Sequence, residues 1–436
     1  MRIRDLLEID YVLLLAVVVL SVFGVLFIYS SAITSTGLLV SEEYIRQIVW
    51  DVAGLAIVLS LAMVDYRRIR NLTVYLYLGN LALLVYTCLF GRLVNGARAW
   101  IGVGSFGIQP SEFAKITTIL LLARYLDDTR RSPKSFSRFL ISCLIVFIPM
   151  GIILVQPDFG TSLVFIPILV AMAFIAGVSM RYIVFLVSCI SITAVLMVLP
   201  LWQREIMRNT IASLEILANV RFILSAMVAL GFIAAIALVG FLLYKKRYFF
   251  WILYSSMVVI LSLGLSYVAR VVLKDYQIKR LIVFLDPSVD PQGAGWHIIQ
   301  SITAIGSGGL AGKGYLQGTQ SHYRFLPQQS TDFIFSIFTE EWGLLGGLLV
   351  FALFLLISLR LVRIMRITSD PFGAYIAAGL AGVYVFHFLI NVGMTMGIMP
   401  ITGIPLLFMS YGGSSVISAM TGVGLALSIY VRRYTH

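Results

Sequence analysis

Charge is scarce in this sequence. Of 436 residues, 12% are charged and 60% are hydrophobic, whereas soluble domains carry about 25% charged residues. A soluble fold could not hide so much apolar surface, but a bilayer can. Cysteine is scarce as well. Cys88, Cys143 and Cys189 all lie inside apolar stretches, without the spacing of a metal site or a disulfide framework, and read as small core residues. The four histidines, His297, His322, His387 and His436, show no metal or triad spacing. His387 falls in an apolar run and is expected to hydrogen-bond a neighbouring helix, for example through Asn391. No G-x-S-x-G, H-E-x-x-H or Walker sequence is present, and the lack of a nucleotide site argues against an ATP-driven pump. No separate soluble domain is visible either, since the longest stretch without a span is about 60 residues.

A net charge of +12 invites a nucleic-acid reading. The charges, however, sit in short clusters between apolar runs rather than on one basic face, so nucleic acid is excluded as a partner. The first apolar run, Tyr11 to Ser30, is too long for a signal-peptide core and reads as a first span.

What the sequence does have is apolar runs. About twelve segments reach or approach the ~20 residues that cross a bilayer: 10–32, 46–64, 72–91, 110–126, 138–156, 160–177, 182–201, 222–243, 250–272, 335–359, 373–396 and 403–431. They must be helices, because hydrocarbon offers backbone groups no other partner. The fold class expected is therefore all-α, a polytopic membrane bundle of about 12 transmembrane helices forming a single domain over residues 1–436. Orientation follows from Lys and Arg. With the N-terminus inside, the inner segments hold Arg2 and Arg4, Arg67 to Arg70, Arg124 to Arg138, Arg181, Lys245 to Arg247, Arg360 to Arg366, and Arg432 and Arg433, about 19 of the 32 basic residues. An even number of spans returns the C-terminus to the same side. Other basic residues crowd two outer segments, 91–115 and 273–330, either as scattered surface charge or as a sign of an anionic ligand.

Chemistry concentrates in those outer segments. Asn95–Lys115 reads NGARAWIGVGSFGIQPSEFAK, whose glycines predict irregular backbone rather than helix. Pro110 suits a helix first turn, and Glu112 and Lys115, three apart, share one helix face. They are either an ion pair joining two helices or the lining of a polar cavity that receives a charged headgroup. The long loop 273–332 carries two Gly-rich runs, Gly306 to Gly309 and Gly312 to Gly314, which permit close backbone approach to a ligand. Trp296–Ile305 has helical periodicity. Asp332 closes the loop just before FIFSIF, at the mouth of a span. There it is either a helix cap or first-turn residue or a partly desolvated general base. Glu340 and Glu341, two turns on, either line the same cavity or pair with an arginine.

These motifs in combination resemble the SEDS family (shape, elongation, division and sporulation): QPSEFAK (109–115), QPDFGTS (156–162), FLDP…DPQGAGWHIIQSITAIGSGGLAGKG (284–314), GTQS…FLPQQSTDFIF (318–335) and GIMPITGIPLLFMSYGGSS (397–415). The GTQS…FLP pattern is nearer to the family's cell-elongation members than to its division members. The resemblance spans nearly the whole chain, and it implies a peptidoglycan glycosyltransferase of the bacterial cytoplasmic membrane that polymerises lipid II and releases undecaprenyl pyrophosphate. It further implies a class B penicillin-binding protein and other elongation-complex membrane proteins as partners. Asp332 would be the catalytic carboxylate, Glu112 and Lys115 the charged pair of the central cavity, and Arg98 and Lys313 basic positions near it. A divalent cation, Mg2+ or Mn2+, could share in stabilising the leaving group, although no complete ligand set is visible. The rival readings are a lipid II flippase and a non-catalytic membrane scaffold. Two departures stand out. Gln328 and Ser330 occupy positions where the family usually has Glu and His. An extra helical pair also appears within 204–273, inserted between Trp202 and the point where similarity resumes at Asp275-Tyr276-Gln277, on a core of about ten spans.

Overall fold

The computed structural model describes residues 8–94, 97–103, 106–203, 219–272, 275–291 and 293–434. Arg2, Arg4 and His436, and parts of the expected hairpin and outer segments, lie outside the described residues. The chain forms two compact units, residues 1–178 with 296–436, and residues 179–295.

The first unit begins with α1 (Tyr11–Ala32), whose N-terminus is capped by Asp10, the carboxylate accepting from Leu13 N at 3.2 Å. It continues through α2 (Glu43–Met63) and α3 (Thr73–Phe90) into three short strands, β1 (Arg92–Val94), β2 (Ala97–Val103) and β3 (Phe106–Ile108). The strands pair antiparallel in the order β1-β2-β3, with Leu93 opposite Arg98 and Ile101 opposite Ile108. The irregular backbone expected here is thus a small sheet. Arg98 and Trp100 alternate along β2 on one face while Ile101 and its partner Ile108 take the other, a period of two that the glycine content masks. Pro110 occupies the first turn of α4 (Pro110–Asp128), where its missing N–H costs nothing. Then come α5 (Phe136–Val155), α6 (Phe159–Leu163) and α7 (Phe165–Ile175). Arg138, 2% exposed, donates to Leu126 O at 2.6 Å and Ala176 O at 3.0 Å. It thereby satisfies carbonyls at the ends of α4 and α7 that have no helical partner.

The second unit holds α8 (Met180–Trp202), α9 (Val220–Tyr244), α10 (Arg247–Val272) and α11 (Asp275–Leu285). α9 and α10 form a helical hairpin about Lys245, which stands in the left-handed region at φ +50°. Arg270 on α10 donates to Leu196 O on α8 at 2.6 Å.

Five further helices follow: α12 (Ala294–Ser307), α13 (Thr319–His322), α14 (Ile334–Ile367), α15 (Pro371–Thr395) and α16 (Gly413–Val431). α12 contains the helix expected at Trp296–Ile305. α15 and α16 are the centre of the first unit, with 67% and 72% of their apolar stretches buried, against 22% for α2.

Among the described residues ten helices are long and apolar enough to cross a membrane, and the chain is a multi-pass membrane protein. Two of the twelve expected spans fall short by that measure. α4 carries Glu112, Lys115, Arg124, Asp127 and Asp128, and 160–177 is short and divided at Val164 into α6 and α7. The last span begins at Gly413 rather than 403, because Gly403 and Phe408 have positive φ and Pro405 removes a donor. This irregular stretch survives among apolar helices because side chains of α15 take up its carbonyls: Asn391 donates to Ile404 O at 2.8 Å and His387 Nδ1 lies 3.0 Å from Pro405 O.

Basic side chains gather at one end of the first unit. Arg70 pairs with Asp127 at 2.8 Å, Arg360 with Asp10 at 2.6 Å, and Arg432 donates to Met63 O at 2.7 Å. Asp370, which caps α15, accepts from Tyr66 Oη at 2.8 Å at that same end.

Candidate active site

Pro110 starts α4 so that Glu112 and Lys115 point together into the first unit. Lys115 Nζ donates to Glu112 Oε2 at 2.8 Å, and the two residues are 2% and 3% exposed. Ser418 on α16 donates to Glu112 O at 2.7 Å. The expected pairing is present, but it does not end with two residues. His387 on α15, 1% exposed, brings Nε2 to 3.2 Å from Lys115 Nζ. An ammonium can only donate, so Nε2 must accept. Nδ1 then carries the proton and donates to Pro405 O, leaving a neutral imidazole between a cation and a carbonyl. His387 thus meets a neighbouring helix as expected, through Lys115 rather than by way of Asn391, and both His387 and Asn391 also bond the irregular 404–405 backbone. One donor of the Lys115 ammonium remains after Glu112 and His387 are served.

Beside this pair, Gln109 Nε2 donates to Asp158 Oδ2 at 2.8 Å, while Asp158 caps α6 through Thr161 N at 3.1 Å. Asp158 belongs to the QPDFGTS motif, but nothing in its local sequence marks it as a neighbour of α4.

Asp332 stands in a tight turn. Gln328 adopts a left-handed φ of +48°, an unfavourable conformation for a non-glycine residue. Its carbonyl accepts from Asp332 N at 3.2 Å and Phe333 N at 3.4 Å. The turn is pinned from outside: Tyr411 N donates to Ser330 O at 2.8 Å, Ser410 Oγ to Thr331 O at 2.6 Å, and Ser330 Oγ to Glu43 Oε2 at 2.6 Å. α14 starts at Ile334 with Phe333 at its N-cap, so Asp332 precedes the cap position that one reading gave it, and it is half-buried. Asn391 Nδ2 donates to Asp332 O at 3.0 Å. His387 and Asn391 lie one turn apart on the same face of α15. The Glu112–Lys115 pair and the Asp332 turn are therefore held by neighbouring positions, about 6 Å apart along one helix.

Glu340 and Glu341 are fully buried and do not pair with arginine among the described residues. Glu340 accepts from Lys313 Nζ at 2.7 Å and from Thr319 N and Gln320 N at 2.8 and 2.9 Å. Glu341 accepts from Ser30 Oγ and from Leu316 N, the latter at 3.0 Å. His322 Nε2 lies 3.8 Å from Glu341. Burial lowers the His322 imidazole below its usual range, against an opposing pull from Glu340.

The Gly-rich runs approach a helix rather than an open cavity. α14 is broken at Gly343, φ +65°. Across the break run Lys313 N to Glu340 O at 3.1 Å, Gly314 N to Glu341 O at 3.0 Å, Leu344 N to Gly309 O at 2.9 Å and Leu345 N to Leu310 O at 3.2 Å. A Cβ on Gly312 or on Gly343 would collide with the other segment's backbone. Lys313 thus sits within the loop's own ion pair, and Arg98 lies exposed on β2.

A family model described as Cell cycle protein (FTSW_RODA_SPOVE) matches residues 11–214 and 202–435. The chain belongs to this family. The peptidoglycan glycosyltransferase RodA of Treponema pallidum (strain Nichols) is 51% identical over 433 residues, covering 99% of this chain and 100% of that one. The peptidoglycan glycosyltransferase MrdB of Escherichia coli (strain K12) is 33% identical over 434 residues, covering 98% and 95%. Among solved structures, a chain from a peptidoglycan synthase complex that coordinates polymerization and crosslinking is similar with a TM-score of 0.67 at 25% identity, covering 98% of this chain and 99% of that one. The Thermus thermophilus rod shape determining protein RodA shares the fold, with a TM-score of 0.61 at 24% identity and 98% of each chain covered. The resemblance carried by the five motifs is borne out.

Proposed function

We propose that this chain is a peptidoglycan glycosyltransferase that polymerises lipid II into glycan strands during cell elongation and releases undecaprenyl pyrophosphate. It would act at the outer face of the bacterial cytoplasmic membrane with both termini in the cytoplasm. The observation that carries this reading is the joint hold of α15 on Lys115 and on the Asp332 turn, in a chain 51% identical to a peptidoglycan glycosyltransferase.

Joining a β-1,4 glycan from an α-linked lipid diphosphate inverts the anomeric centre, so one carboxylate and no covalent intermediate suffice. Asp332 takes the proton from the acceptor hydroxyl. The diphosphate gains charge as its bond to the sugar breaks, and preorganised cations stabilise it. Lys115 offers its remaining donor; Lys313, engaged by Glu340 and Thr319, keeps one for the same purpose; and Arg98, exposed on β2, is a further cation that the family resemblance assigns to the diphosphate. Among the described residues no three His, Cys, Asp or Glu side chains gather as a metal site. A Mg2+ or Mn2+ ion, if it takes part, would be held chiefly by the substrate's own phosphate oxygens and would supply further charge to the leaving group.

A class B penicillin-binding protein is the expected partner, together with other membrane proteins of cell elongation. The α9–α10 hairpin, within 204–273, is an addition peripheral to this chemistry. The deciding experiment supplies lipid II to the purified protein in detergent. Polymer is expected; a folded protein that binds lipid II and makes none would instead be a flippase or a scaffold.

A further inference from the structure

The α1–α2 loop and the segment before Asp332 form an open cleft of about 410 Å³, lined by Ser41, Glu43, Leu326 and Ser330 and by the exposed Arg324 and Gln328 among others. Pockets for small molecules usually measure roughly 300–1,000 Å³. The walls are tied together, by Ser35 N to His322 O at 3.1 Å and by Ser330 Oγ to Glu43 Oε2, so the cavity is formed before any ligand arrives. Arg324 and Gln328 both hold positive φ, +57° and +48°, and two such residues within five positions mark a segment whose conformation is fixed against its own preference.

The lining has a definite chemistry. Glu43 spends one oxygen on Ser330; its other oxygen has no hydrogen-bond partner among the described residues, and neither has the Arg324 guanidinium. A carboxylate only accepts and a guanidinium only donates. The complementary ligand therefore has hydroxyl or amide N–H groups on one side and a carboxylate on the other, with Val40, Leu326 and Pro327 offering an apolar wall for the flat face of a ring.

We propose that this cavity is a subsite for an N-acylated sugar whose substituent bears a carboxylate, with Glu43 accepting from the sugar and Arg324 pairing with the carboxylate. The proposal rests on the glycosyltransferase reading and extends it. Ser330 links the subsite to the Asp332 turn two residues on, so sugar binding at Glu43 and the position of the reacting carboxylate are coupled through one hydroxyl.

The test measures binding without turnover. A soluble disaccharide-peptide cut from peptidoglycan, N,N′-diacetylchitobiose as its neutral counterpart, and inorganic pyrophosphate are each titrated by saturation-transfer NMR onto the purified full chain. The disaccharide-peptide is expected to bind about tenfold or more tightly than chitobiose, the size of one charge-assisted hydrogen bond. Arg324→Gln should abolish that preference, and Glu43→Gln should weaken both sugars. Glu42→Gln, an exposed neighbour outside the lining, should change neither. Equal binding of both sugars, an unchanged preference in Arg324→Gln at matched thermal stability, or displacement of the sugar by pyrophosphate would overturn the subsite. Polymerisation of lipid II by the same wild-type preparation reports separately on the glycosyltransferase reading.

Discussion

Lys115 Nζ lies 3.2 Å from His387 Nε2, between two helices 272 residues apart in sequence. This contact joins the charged pair of α4 to α15, and through Asn391 to the Asp332 turn. His387 is a positioning residue for Lys115: it accepts from the ammonium while its other nitrogen is occupied by Pro405 O.

Replacing His387 should therefore act through Lys115. His387→Phe removes the acceptor and should cost about 1–3 kcal/mol, the range for a buried donor left unmet. His387→Gln, which can still accept, should recover much of that loss. Thermal unfolding in detergent and the KM for lipid II check this. Phe and Gln variants that are equal to each other in both would remove His387 from the account.

Breaking the Glu112–Lys115 pair should be costlier. Glu112→Gln or Lys115→Met leaves one buried charge alone, a penalty of order 3–5 kcal/mol. Polymerisation should fall further for Lys115→Met, which also loses the donor meant for the diphosphate. The idea fails if both single variants keep wild-type melting temperature and rate.

Asp332→Asn separates chemistry from structure. The backbone bonds at Asp332, N–H to Gln328 O and C=O from Asn391, do not involve the carboxylate and should survive. Polymer formation should drop about 10²–10⁴-fold, the contribution of a general base, in a protein that still folds. Near-normal synthesis would exclude Asp332 as the base.

The end of the first unit that carries Arg70, Arg360 and Arg432 should face the cytoplasm. A cysteine introduced in the 360–372 segment should resist a membrane-impermeant thiol reagent in intact cells and react after lysis. Ready labelling of intact cells would reverse the orientation.

Removing about residues 204–273, the α9–α10 hairpin with its flanks, should leave measurable polymerisation if the remainder folds. Complete loss in a folded, lipid II-binding protein would give the hairpin a function.

Spans were legible in the sequence because hydropathy is a local property, and α4 was legible because Pro110, Glu112 and Lys115 signal a helix start and a shared face within six residues. The kinked entry to α16 was not, since Gly403–Gly412 is as apolar as a span and its irregularity depends on donors from α15. His387 and Asp158 were hidden for a similar reason: each meets α4 across a distance in sequence that no local pattern encodes. The Gly-rich runs were seen, but the backbone they approach belongs to α14, which only tertiary structure reveals. Glu340 and Glu341 were noted without their partners, which lie up to 311 residues away.

The break in α14 at Gly343 has a mechanical consequence. Four backbone hydrogen bonds splint it to residues 309–314, replacing helical bonds that the break removes. The splint and the helix segment that follows Asp332 therefore move as one lever, and a force applied to the Gly-rich loop is delivered two turns away, at the carboxylate.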